Sequence, residues 1–122
     1  MAADTRPDAA TRHVRVYGLQ IADAARYQGY RERMTPILRS YGGSFRYDFA
    51  IERVLASEAS HPIDRVFTIA FPDHAAAERF FADPRYLAVR REWFEPAVLA
   101  ATQIGAFDEL LPADAQGATP RS

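Results

Sequence analysis

Large apolar residues recur along this chain with two different periods. From His13 to Ile21 (HVRVYGLQI) they alternate. Val14 and Val16 fall on one face, and Arg15, Tyr17 and Leu19 on the other, which predicts a strand. From Ala24 to Ser40 the spacing changes to threes and fours. Tyr27, Tyr30, Met34, Ile37, Leu38 and Tyr41 make one helical stripe, with Asp23 placed as its N-cap. Pro36 removes one backbone hydrogen bond and predicts a kink. The stripe keeps its phase through it, so the reading is one helix.

Gly42 stands where a helix C′ residue adopts the left-handed conformation, and Gly43 allows a close reversal against the sheet. Ser44 to Ala56 then reads as a long strand. Straight alternation places Phe45, Tyr47, Phe49 and Ile51 on one face and Arg46, Asp48, Ala50 and Glu52 on the other. SEASHPID is a loop, and Asp64 to Phe71 a third strand closed by Pro72. Asp73 caps a second helix, HAAAERFFAD. Pro84 starts a third helical run, PRYLAVRREWF, which carries Tyr86, Leu87, Val89, Arg90 and Trp93 and ends before Pro96. Ala97 to Phe107 is the last strand.

Strand, helix, strand, strand, helix, strand is the ferredoxin-like α+β order, an antiparallel sheet with helices on one face. Both parities of the third and fourth strands are apolar: Val66 and Ala70 against Phe67, Ile69 and Phe71, and Val98, Ala100 and Ile104 against Leu99, Ala101 and Phe107. A sheet apolar on both sides needs cover on both sides. A second copy is the simplest cover, which predicts a homodimer with its sheets facing.

Composition sharpens this. A chain of 122 residues, 48% hydrophobic, suits one domain with a real core. That domain is expected over residues 13–110, with a flexible leader at 1–12 and a disordered tail at 111–122. The net charge of −1 gives no electrostatic footprint for nucleic acid or an anionic membrane. The chain has no cysteine, so disulfides, thiolate catalysis and cysteine-bound zinc are excluded. No apolar run approaches the roughly 20 residues that span a bilayer. The N-terminus, MAADTRPDAATR, lacks the apolar core of a signal peptide. The expected location is cytoplasmic.

The sequence Asp23-Ala-Ala-Arg-Tyr27, then Tyr30-Arg31, Pro36 and Tyr41-Gly42-Gly43, resembles the first half of a bacterial family of small proteins, domain of unknown function 1330. That family lies within the dimeric α/β-barrel superfamily. Phe71-Pro72, the Ala-rich helix 75–82, Asp83-Pro84-Arg85-Tyr86 and Arg90 extend the resemblance, which covers roughly residues 13 to 107. It implies a ferredoxin-like fold and a dimer, but no particular reaction. Relatives in the superfamily include cofactor-independent monooxygenases, lactone isomerases, cyclases, dehydratases and haem-handling enzymes, and fold alone does not choose among them. Two departures stand out. Family members usually read Glu-Phe-Pro where this chain has Ala70-Phe71-Pro72. They usually carry a base followed by glycines where it has Asp48-Phe49-Ala50. If the usual acid and base face each other across adjacent strands, this chain has lost one and reversed the other. Its cavity would then be rebuilt for a less polar ligand; drift in a solvent-facing pair is the alternative.

Asp48 is the leading catalytic candidate. A mid-strand carboxylate that points into a cavity has its pKa raised by burial and becomes a usable acid or base; one that points at an arginine or water is only a paired charge. His74, opening a helix, is a second candidate general base, against a surface role. Tyr17, Thr68 and Gln103 sit mid-strand and are placed to orient a carbonyl or hydroxyl. Arg46 and Trp93 complete the candidate substrate-binding set. Arg90 and Arg91 are candidates to clamp an anion, although an amphipathic helix solvates at least one of them. His13, His61 and His74 show no metal-ligand spacing, and no Gly-rich phosphate loop is present, so neither metal nor nucleotide cofactor is indicated. The expectation is cofactor-independent acid/base chemistry, namely isomerisation, cyclisation or dehydration, on a small and largely apolar organic molecule. The alternatives are a non-catalytic ligand-binding or stress-related accessory protein, and a cofactor-free monooxygenase.

Overall fold

The computed structural model describes residues 10–111. The expected leader and tail therefore lie outside the described residues, apart from their inner ends. Strand β1 (Ala10–Ile21) already begins at Ala10, and β4 (Val98–Leu111) runs to Leu111. Between them come α1 (Ala24–Ser40), β2 (Ser44–Ala50), β3 (Arg65–Phe71), α2 (His74–Ala82) and α3 (Pro84–Val89), the last continued by a π-helical turn, Arg90–Phe94.

The four strands form one sheet in the order β2-β3-β1-β4, with every neighbouring pair antiparallel. This is the ferredoxin-like α+β arrangement that the element order predicts. The helices cover one face. Leu19, Phe67, Ile69 and Phe71 of the sheet pack with Tyr27, Tyr30, Met34 and Leu38 of α1, Ala76, Ala77 and Phe80 of α2, and Tyr86 of α3. The stripe on α1 is the buried one, and the helix runs through Pro36 without a break.

The caps fall where the sequence puts them. The Asp23 carboxylate accepts from Arg26 N at 3.0 Å, and that of Asp73 accepts from Ala76 N at 2.7 Å. Gly42 takes a φ of 76°, and a Cβ at Gly43 would lie 2.4 Å from Leu38 Cδ1. The first glycine supplies the left-handed turn and the second a close approach.

Strand β2 departs from expectation in two ways. It ends at Ala50 instead of Ala56, and it does not alternate straight through. Phe45 pairs with Ile69 and Tyr47 with Thr68, so Arg46 is an extra residue in a β-bulge. The bulge reverses the faces beyond it. Phe45 and Asp48 point to the helices, while Tyr47 and Phe49 point to the open side. Tyr47 N donates instead to Thr68 Oγ1 at 3.1 Å. A second bulge, in β4, leaves Ile104 unpaired between Gln103 and Gly105.

Residues 51–64 fold back along the open side. His61 Nε2 meets Thr102 Oγ1 at 2.7 Å, and Ile63 packs against Gly18. Among the described residues the open face remains apolar and uncovered: Tyr47, Phe49, Ile104 and Phe107 are each about half exposed. Among the described residues no helix is long and apolar enough to cross a membrane.

Candidate functional site

A cavity of about 230 Å³ opens between the sheet and the helices. Tyr17, Leu19, Phe67 and Ile69 form its floor, with Ala101 at the β4 side. Tyr30 and Met34 of α1, Phe81 of α2, Tyr86 and Leu87 of α3, and Arg90 and Phe94 of the π turn complete the walls. Tyr86, Arg90 and Phe94 follow one another in steps of four. A helical turn widened to i→i+5 bonding, here Glu95 N to Arg90 O at 2.9 Å, keeps that stripe aimed at the cavity.

The polar groups of this cavity are few. The Tyr30 and Tyr86 hydroxyls are 2.9 Å apart, and both residues are almost fully buried. Burial pushes both phenol pKa values up, Tyr30 well above the ordinary value, so both remain protonated at neutral pH. The Tyr17 hydroxyl donates to Gln103 Oε1 at 3.2 Å. Arg90 stands at the rim, its guanidinium 5.3 Å from the centre of the Phe94 ring.

Of the residues singled out by sequence, Tyr17 and Arg90 line this cavity; Gln103 bonds Tyr17 but lies outside the lining, and the others lie elsewhere. Asp48 faces the helices but sits toward the β2 edge, outside the cavity lining. Arg65 Nε donates to its Oδ1 at 2.8 Å, Arg65 Nη2 to its Oδ2 at 3.2 Å, and Arg31 also pairs with it. Burial alone would raise its pKa. The hydrogen bonds from Arg65 and Arg31 outweigh that and hold it below the usual carboxylate value. The shift is opposite to the one a neutral-pH acid or base needs.

Arg46 is the exposed bulge residue. Thr68 lies on the open face and satisfies the bulge. Trp93 packs flush on Gly29, with Arg33 and Arg26 stacked 3.6 and 4.7 Å from its ring centre, and so joins the π turn to α1. Ala70 pairs with Val14 and Ser44 on the open side, whereas Asp48 pairs with Phe67 on the helix side. The two departures from the family pattern therefore do not face each other.

His74 is exposed and lies outside the cavity. Its ring meets that of His13 edge-on at 4.9 Å, and its Nε2 lies 3.6 Å from Glu78. His13 is buried. Arg15 Nε donates to its Nε2 at 3.0 Å, so its Nδ1 carries the proton that bonds Asp108 at 2.9 Å. These contacts tie β1, β4 and α2 together. Among the described residues no cluster of three or more His, Asp or Glu side chains is arranged to hold a metal ion.

Residues 15–99 match the family described as domain of unknown function (DUF1330). The chain belongs to that family. No curated protein sequence matches it. Among solved structures, this DUF1330 protein is similar to a protein of unknown function from Rhodopseudomonas palustris, with a TM-score of 0.67 and 20% identity over 88% of this chain and 89% of the other. A DABB-family protein with a ferredoxin-like fold from Mesorhizobium loti matches with a TM-score of 0.52 and 19% identity over 86% and 98% of the two chains. A cofactor-independent oxygenase from Streptomyces nogalater matches with a TM-score of 0.51 and 17% identity over 81% and 91%. At these identities the likeness is one of fold.

Tyr86 and Arg90 belong to the segment that carries the DUF1330 resemblance, where the sequence marks Arg90 as an anion clamp and Tyr86 only as an apolar position of the helix. Tyr30 read as part of the core stripe. The Pro84-Arg85-Tyr86 motif was the available signal for this wall of the cavity.

Proposed function

We propose that this DUF1330 protein binds a small, largely apolar organic molecule in the cavity between its sheet and helices. The observation that supports this is the composition of the walls: aromatic and aliphatic side chains interrupted by a buried tyrosine pair and one arginine. Such a ratio is that of ligand sites, where apolar surface supplies affinity and a few polar groups set orientation. At about 230 Å³ the space lies somewhat below the usual range for drug-sized ligands, which limits the occupant to a small one.

The chemistry available there is polarisation by hydrogen bonding, since the tyrosines stay protonated and, among the described residues, no carboxylate or imidazole lines the cavity. That supports ligand binding, or isomerase-type activation of a carbonyl, over proton abstraction by Asp48. The test is titration with indole followed by NMR. Shifts should appear at Tyr17, Met34, Tyr86 and Phe94, and Ala101→Phe, which fills the space, should abolish them. Shifts confined to the open face, at Val66 or Ile104, would overturn the reading.

The uncovered apolar face supports a homodimer in which two sheets meet through Tyr47, Phe49, Ile104 and Phe107. In such a dimer the cavity would lie on the side of the sheet opposite the contact.

A further inference from the structure

The polar atoms that line the cavity are weighted toward donors. Guanidinium groups donate and never accept. Arg12, Arg15, Arg31, Arg65 and Arg85 each pair with a carboxylate. Arg90 has no carboxylate partner among the described residues, although it is the arginine at the cavity rim. The Tyr30 and Tyr86 hydroxyls hold two protons between them and share one hydrogen bond, so one O–H remains to donate. The Tyr17 hydroxyl is already committed to Gln103. Donors thus outnumber acceptors wherever a ligand would lie.

An apolar molecule without an acceptor would leave that buried O–H unpaired, which is costly. An anion on an apolar body would take the O–H and neutralise Arg90. Pairing with Arg90 would offset part of the cost of taking the anion's charge out of water. Phe67, Phe81 and Phe94 supply aromatic surface for a flat body.

From this donor-rich lining we infer that the natural ligand is a small aromatic or conjugated oxyanion, a carboxylate, enolate or phenolate. Its body lies among the phenylalanines, and its oxygen is bound by Arg90 and the Tyr30–Tyr86 pair. The inference rests on the cavity being the ligand site, as proposed above. It adds the charge and the identity of the binding groups. Arg90 is then the specificity-determining residue, separating an anion from its neutral isostere.

The experiment compares two probes of nearly equal shape, naphthalene and 2-naphthoate, by calorimetry or fluorescence quenching at neutral pH. The full chain is used, together with Arg90→Gln and Arg90→Lys. Arg90 is exposed at the rim, so both variants should fold as the parent does. The wild type should bind 2-naphthoate roughly tenfold or more tighter than naphthalene, as a charge-assisted hydrogen bond implies. Arg90→Gln should erase most of that ratio without changing naphthalene affinity, and Arg90→Lys should restore part of it. Equal affinities for the two probes, or an unchanged ratio in Arg90→Gln, would overturn the inference while leaving the cavity as a ligand site. Failure of both probes to bind would remove the cavity reading and the inference with it.

Discussion

Arg65 Nε lies 2.8 Å from the Asp48 carboxylate on the helix-facing side of the sheet, and Arg31 of α1 closes on the same carboxylate. One acid thus joins β2, β3 and α1. Its side chain is about one-fifth exposed, so the pair is screened only in part. Replacing Asp48 by Asn leaves two guanidinium groups facing each other without the charge that holds them. The variant should be less stable by about 1–3 kcal/mol at neutral pH, read from urea unfolding. Binding of indole in the cavity should not change.

The pH dependence of that loss has a defined sign. The folded protein holds the Asp48 pKa below its ordinary value of 3.8. Its contribution is therefore complete above pH 3.8 and disappears as pH falls from there through the folded pKa. The stability gap between wild type and Asp48→Asn should be flat from neutral pH down to about the ordinary carboxylate value and should close below it. A gap that closes near pH 6 instead would mean that Asp48 titrates as a raised carboxyl, the behaviour expected of a catalytic acid.

The contrast between Asp48 and Phe49 shows how far the sequence could be read. Element order, caps, the α1 stripe and the two faces of β1 and β3 follow from periodicity, because each repeats over several residues and one error does not shift the rest. The bulge at Arg46 is a single inserted residue. Nothing in YGGSFRYDFA marks it, and every side chain beyond it changes face. That one event moves Asp48 to the helix side, and it moves Tyr47 and Phe49 to the open side. The cavity was harder still. Its lining comes from six elements and the π turn, and Tyr30 and Tyr86 meet across 56 positions of sequence. Neighbours along the chain give no sign of such a meeting.

Gly42 offers a test of the local reading. Its φ of 76° is a conformation that costs a residue with a Cβ about 1–2 kcal/mol. A Cβ there would also lie 2.6 Å from Pro72 Cγ, on a ring with little freedom to move. Gly42→Ala should lower stability by at least about 1–2 kcal/mol, seen as a reduced melting temperature, with the fold retained.

The open face makes a prediction about assembly. Phe49 and Phe107 are each half exposed on it. Light scattering after gel filtration should show a dimer for the wild type and a monomer for Phe49→Glu, because a charge placed in a sheet-to-sheet contact has no partner. Ala88→Glu, on the exposed side of α3, should leave the dimer intact. A monomeric wild type at micromolar concentration would remove the dimer from the account.

Proton counting at the tyrosine pair gives the most specific prediction. With both hydroxyls present, one O–H is used within the pair and one is left over. In Tyr86→Phe the single remaining hydroxyl on Tyr30 has its own proton to offer, so the number of donors available to a ligand stays at one. The variant should lose about 1 kcal/mol of stability with its internal hydrogen bond. It should nevertheless hold 2-naphthoate within a few-fold of wild type, roughly the effect of a slightly displaced hydrogen bond. The double variant Tyr30→Phe/Tyr86→Phe offers no donor. It should lose roughly tenfold in 2-naphthoate affinity and none for naphthalene. Equal losses for the two probes would point to a change in cavity shape. A loss confined to the anion, appearing only when the second hydroxyl goes, follows from the donor count and from no packing effect, since each substitution removes one phenolic oxygen and leaves its ring in place.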